Sequence, residues 1–145
     1  MKTSITLLAA TLLCSSCAAV QPSWHQTDGS LGQTQYYVDV NERADFRIIC
    51  SNHHIKMSFT DQYGDVRLAA VIIDGQRFDD YDFFSIDFKY EEDADKFRPL
   101  WTKLRSAKRI TVIADTTPQK SFELPTSTVA KVLPADFTQC DGQQT

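Results

Sequence analysis

Two short stretches of this 145-residue chain carry side chains able to do chemistry. Cys50-Ser51-Asn52-His53-His54 places a thiol and two imidazoles within five residues. Such groups ligate metals, and histidines move protons in hydrolysis. A structural zinc site wants four ligands, and no second ligand pair follows. Adjacent histidines on a strand also point to opposite faces. His53 and His54 therefore read as polar turn residues. A hydrolase or metal-dependent enzyme built on them is the alternative. The remaining histidine, His25, falls in a polar lead segment.

The second stretch is acidic. Asp79, Asp80 and Asp82 surround Tyr81, and Glu91, Glu92, Asp93 and Asp95 form a further run. Neither run has the alternating oxygen ligands, central glycine and closing glutamate of a calcium loop. Carboxylate pairs of the glycosidase kind occur in any acidic chain. Both runs read as solvated loops. A binding surface for a basic partner would be sought at Asp79, Asp80, Tyr81 and Asp82. No GxSxG or HExxH pattern is present, and the five glycines form no phosphate-cradling loop. The reading assigns no catalytic residue, no metal and no cofactor.

The four cysteines point to a compartment. Lys2, then the apolar run Ile5 to Leu13, then Ser15-Ser16-Cys17-Ala18-Ala19 give the three-part layout of a secretory signal peptide. The apolar run is far short of the roughly 20 residues a membrane-spanning helix needs. The signal is assigned to residues 1–19, with an ordinary cut after Ala18 or Ala19, or a lipoprotein cut before Cys17. Leu13-Cys14-Ser15-Ser16-Cys17 is similar to a lipobox in its two serines and departs from it at Cys14. Acylation at Cys17 would give an anchored lipoprotein, and Ala18 behind it favours the outer membrane. Without it the chain would be soluble in the periplasm or secreted. Either route leaves Cys50 and Cys140, for which an oxidising compartment makes a disulfide the default.

Composition narrows the partners. The formal charge is −4, which supplies no electrostatic footprint for nucleic acid. It also disfavours docking on an anionic membrane surface. The expected partner is a protein or another envelope macromolecule.

The elements that would position these groups follow from periodicity. Residues 20–34 are polar and turn-rich and read as a flexible tether, with one domain over 35–145. Tyr36–Val40, Phe46–Cys50 and Ile55–Phe59 have strand character, the last two joined by the turn 51–54. Val66 to Asp74 reads as one central strand, Asp74-Gly75 as a hairpin turn, and Phe83–Phe88 as another strand. Phe97, Leu100, Trp101, Leu104 and Ala107 fall at helical spacing, and Pro99 suggests a helix starting near it. Strands at 109–114 and 121–124 and a short helix from Thr128 to about Leu133, ended by Pro134, complete the chain. The expected fold is α+β: a mostly antiparallel sheet, two short helices late in the chain and one long-range disulfide.

Strand Phe83–Phe88, the helix around Leu100–Ala107, strand Ile110–Val112, Phe122-Glu123-Leu124, the helix Ala130–Leu133 and the closing Cys140 resemble, as a pattern over roughly residues 44–140, small exported bacterial proteins of the kind associated with type VI secretion. Those families usually carry a glycine where Pro125-Thr126 stands. The resemblance implies the architecture and the disulfide and brings no active site. The expected function is an exported envelope protein that binds another macromolecule, as an inhibitor, immunity or secretion-accessory protein. A structural surface lipoprotein is the remaining alternative.

Overall fold

The computed structural model describes residues 22–80 and 84–141. Among the described residues, ten strands form two antiparallel sheets, and two helices pack with them on one shared core. The first sheet contains β1 (His25–Asp28), β2 (Thr34–Asn41), β3 (Ala44–Ser51), β4 (His54–Asp61) and β5 (Gly64–Val66) as neighbours in chain order, with β8 (Ser85–Asp87) also on β4. The second has the order β10 (Lys120–Leu124), β9 (Ile110–Ala114), β6 (Leu68–Ile73), β7 (Gln76–Phe78). Helix α1 covers Glu91–Ser106 and α2 covers Val129–Val132.

Alternation decides which residues face in. Tyr36 and Val38 on β2, Phe46, Ile48 and Cys50 on β3, and Ile55, Met57 and Phe59 on β4 are all buried. Each strand thus buries every second side chain, as its sequence spacing requires. From the second sheet Val71, Ile73, Ile110, Val112 and Leu124 close the core. Each such aliphatic or aromatic burial contributes about 1.5–3 kcal/mol. The sheet dominates the molecule, so the α+β description holds in the coarser sense of an antiparallel sheet with two helices.

Three expectations need correction. The segment 20–34 is not a tether where the structure describes it. Trp24 is 3% exposed, its ring edge-on to Phe46 at 5.8 Å, and His25–Asp28 pair with Thr34–Tyr37. Burial of the large Trp24 ring and the pairing of β1 with β2 override the local turn preference of the glutamines and glycines around them. Second, the run from Val66 is not one strand. It breaks at Arg67, where the chain leaves the first sheet and enters the second. Third, α1 is not short, and Pro99 lies inside it.

That helix begins a full two turns before the proline. Ala94, Phe97, Leu100, Trp101 and Leu104 form a single buried stripe, the i, i+3, i+4, i+7 pattern that holds a helix on a core. Glu91, Glu92 and Asp93 occupy its first turn, where the helix dipole favours negative charge. Interior proline costs about 3 kcal/mol. Pro99 sits on the exposed face, so water can solvate the carbonyl that loses its donor. Burial of the stripe exceeds that cost.

Cys50 and Cys140 are joined, with their α-carbons 5.8 Å apart. The bond fastens β3 to the 3₁₀ turn Phe137–Asp141 across a sequence separation of 90. Phe137 packs edge-on against Phe97 at 5.2 Å and Phe88 at 5.8 Å, seating the turn under α1. Trp101 Nε1 donates to the Pro134 carbonyl at 3.0 Å on the same side.

Candidate functional site

The disulfide settles the first constellation. The Cys50 sulfur is bonded to Cys140, so the thiol is not available to sit with His53 and His54 on a metal. The turn is tighter than expected: β3 ends at Ser51 and β4 begins at His54, leaving Asn52 and His53 at the corners with φ of 47° and 67°. Both are left-handed, as a two-residue hairpin requires, and asparagine tolerates that region better than most residues. The His53 carbonyl accepts the Phe88 N–H at 2.9 Å, and its ring meets Phe88 edge-on at 5.4 Å. His54 opens β4, exposed, with Nε2 3.2 Å from the Ser85 hydroxyl. These contacts dock β8 onto the hairpin. No cluster of three metal-ligating side chains occurs among the described residues.

The acidic runs separate. Asp79 is exposed and accepts Arg77 Nε at 2.9 Å. Asp80 is exposed beside it, while Tyr81 and Asp82 lie outside the described residues, as do Cys14 and Cys17. Glu91, Glu92 and Asp93 are helical, not loop. Glu92 accepts Lys96 Nζ at 2.8 Å, which holds its carboxyl below the usual carboxylate range.

What the sequence did not reveal is a cleft at one end of the domain, where three hairpins meet. The β2–β3 hairpin brings Asn41, Arg43 and Ala44, the β4–β5 hairpin brings Asp61, Gln62 and Tyr63, and the β9–β10 connection brings Thr116 and Lys120. The space between them is about 270 Å³. Its floor is the stacked pair Phe59 and Phe122, one from each sheet, with ring centroids 4.7 Å apart and planes within 19°. Arg43 Nη1 donates to Gln62 Oε1 at 3.3 Å, linking two of the hairpins across the rim. Asp61 Oδ1 accepts the Tyr63 N–H at 2.8 Å and shapes the tip on which Tyr63 stands. Tyr63 is 88% exposed, the largest apolar exposure on the described surface.

Register explains the site. Phe59 belongs to the inward set of β4, and Phe122 on edge strand β10 faces the same interior from the second sheet. Their stack is the point where the two sheets meet at this end. The cleft thus combines an aromatic floor with rim charges of both signs, carried on hairpin tips. The signal the sequence offered was the turn Asp61-Gln62-Tyr63-Gly64, which carries an aromatic residue.

Architecture and site together describe a disulfide-closed antiparallel β domain with an aromatic cleft at its hairpin end. Residues 22–133 match the YfjT family, and the chain belongs to this bacterial family. Neither the curated proteins nor the solved structures contain a match to it.

Proposed function

We propose that this chain is exported to the bacterial cell envelope and acts there without catalysis, by binding another macromolecule through the hairpin-end cleft. The observation that carries the reading is Tyr63, 88% exposed above the stacked Phe59 and Phe122 and flanked by Arg43, Asp61 and Lys120. An exposed aromatic anchor beside an apolar floor and a charged rim is the usual anatomy of a protein-recognition surface. The disulfide supports the location, because such bonds persist in oxidising compartments. The N-terminal signal pattern agrees, with Cys17 as the acylation site of an anchored form. An inhibitor, an immunity protein or an accessory of a secretion apparatus, the type VI kind included, all act by such contacts. The Asp79–Asp80 surface belongs to this reading as a secondary contact for a basic partner.

The test is a photo-crosslinking residue placed at Tyr63 and, separately, at Thr102 on the exposed side of α1. The expected result is one discrete adduct from position 63, absent from position 102 and lost when Arg43 and Lys120 are both changed to Glu. No adduct from position 63, or the same adduct from both positions, overturns the reading.

A further inference from the structure

Strand β10 is an outer strand of the second sheet. It pairs with β9 and, among the described residues, with no strand on its other side. The phase of the ladder fixes which of its backbone groups are left over. Asp74 N–H donates to the Arg109 carbonyl at 3.0 Å and Asp115 N–H to the Arg67 carbonyl at 2.8 Å, so the odd-numbered residues of β9 bond towards β6. Ile110, Val112 and Ala114 therefore bond to their register partners Leu124, Phe122 and Lys120 on β10. The N–H and C=O groups of Ser121 and Glu123 point off the sheet edge, and neither backbone has a hydrogen bond there among the described residues. Both residues are exposed. The other edges offer less. β5, β7 and β8 have three residues each, and beside β1 the Trp24 N–H is already held by Thr128.

This open edge borders the hairpin-end cleft. Phe122 lies between the two free residues and points to the opposite face of the sheet, where it stacks on Phe59 at 4.7 Å. Lys120 shares that face and lines the same cleft, and no carboxylate pairs with it among the described residues. Sheet edges are commonly guarded by proline or lysine. Here Pro118 and Pro125 lie outside β10, and Lys120 stands at its first position. Ser121 to Glu123 are left open. Outward N–H and C=O groups at two-residue spacing match an extended polypeptide backbone. In that mode main-chain bonds give affinity and alternate side chains give specificity. A guest residue opposite Phe122 falls in the closer, non-hydrogen-bonded kind of pair, with α-carbons about 4.5 Å apart and its side chain on the Phe122 face.

We propose that the cleft takes an extended segment of a partner protein, added antiparallel as a strand beside β10, with an apolar side chain opposite Phe122 and an acidic one opposite Lys120. This rests on the reading of the cleft as the recognition site and names the partner's chemistry and its mode of binding.

The test combines the photo-crosslinking residue at position 63, in the envelope of the host, with Ser121→Pro and Ser121→Ala. The Ser121 N–H points away from β9, so proline there keeps the ladder and removes only the outward donor. Both variants should unfold at the wild-type midpoint. Ser121→Pro should reduce the adduct about tenfold or more, the loss expected when a hydrogen-bond partner is left unpaired, and Ser121→Ala should leave it unchanged. The partner segment that carries the adduct, made as a short peptide, should slow amide hydrogen exchange at Ser121 and Glu123. That measurement decides the matter where Ser121→Pro does not fold. An undiminished adduct in folded Ser121→Pro, an adduct on a glycan or lipid, or unchanged exchange at both amides overturns the strand addition and leaves the cleft as a recognition site. No adduct from position 63 in the otherwise wild-type chain overturns both.

Discussion

The Trp24 N–H donates to the Thr128 hydroxyl oxygen at 2.9 Å, across 104 residues of sequence. The Trp24 indole then donates to the Pro125 carbonyl at 2.8 Å. One residue near the start of the described chain is thereby clamped to the approach of α2, with its ring in the core. Trp24→Ala is expected to cost about 3–5 kcal/mol, the range for deleting a buried large aromatic. Urea unfolding measures it. A loss below about 1 kcal/mol would return residues 22–34 to the status of a tether.

The disulfide carries a comparable share. Replacing Cys50 and Cys140 together by Ala should lower stability by about 2–5 kcal/mol, the usual range for removing a native disulfide. Reductant should lower the wild-type unfolding midpoint similarly and leave the double variant unmoved. A variant as stable as wild type would mean that Phe137 and its aromatic neighbours hold the C-terminal turn unaided.

Arg105, in the last turn of α1, ties that helix to α2. Its Nε donates to the Leu133 carbonyl and its Nη2 to the Ala130 carbonyl, each at 3.1 Å. It closes the exposed end of α2 from the side of α1. Arg105→Ala should cost about 1–3 kcal/mol, because carbonyls lose donors they share with one planar fork. Arg105→Lys should recover only part of this, since an ammonium cannot reproduce the fork. Equal stability of the Lys variant and wild type would show that charge alone suffices.

Tyr36 predicts an alkaline limit. Burial among apolar side chains raises its phenol above the ordinary value of 10.0. The folded state then holds the proton at pH values where the unfolded state has released it. Its contribution is fully present below the unfolded value and is lost as pH rises through the raised one. Stability should therefore decline above about pH 10 more steeply in wild type than in Tyr36→Phe. Parallel pH profiles would show that Tyr36 is not the group responsible.

Much of the sheet could be read from alternation. Ile55, Met57 and Phe59 gave β4 its inward face, Asp74-Gly75 gave the β6–β7 turn, and Cys50 found Cys140. The failures share a cause. Trp24 sits among polar residues and Pro99 among helix formers, and in each case burial of a few large side chains outweighed local propensity. The turn to the second sheet at Arg67 left no local mark, because both halves of Val66–Asp74 are apolar. The hairpin-end cleft was invisible for a different reason. Phe59 and Phe122 are 63 positions apart, and only the packing of one sheet on the other brings them together. His53 and His54 drew notice by residue type, yet the structure uses them to dock β8.

Export with oxidation of Cys50 and Cys140 is the condition on which the proposed envelope role depends. The measurement that tests it most directly is the intact mass of the protein recovered from membrane and soluble fractions of its own host, before and after reduction. The predicted result is a chain lacking its first residues, beginning at Cys17 with added acyl mass or shortly after Ala18 without it, that gains the mass of both thiol hydrogens on reduction. A chain still beginning at Met1, found in the cytoplasm with an unchanged mass on reduction, would contradict the envelope reading and the binding role proposed with it.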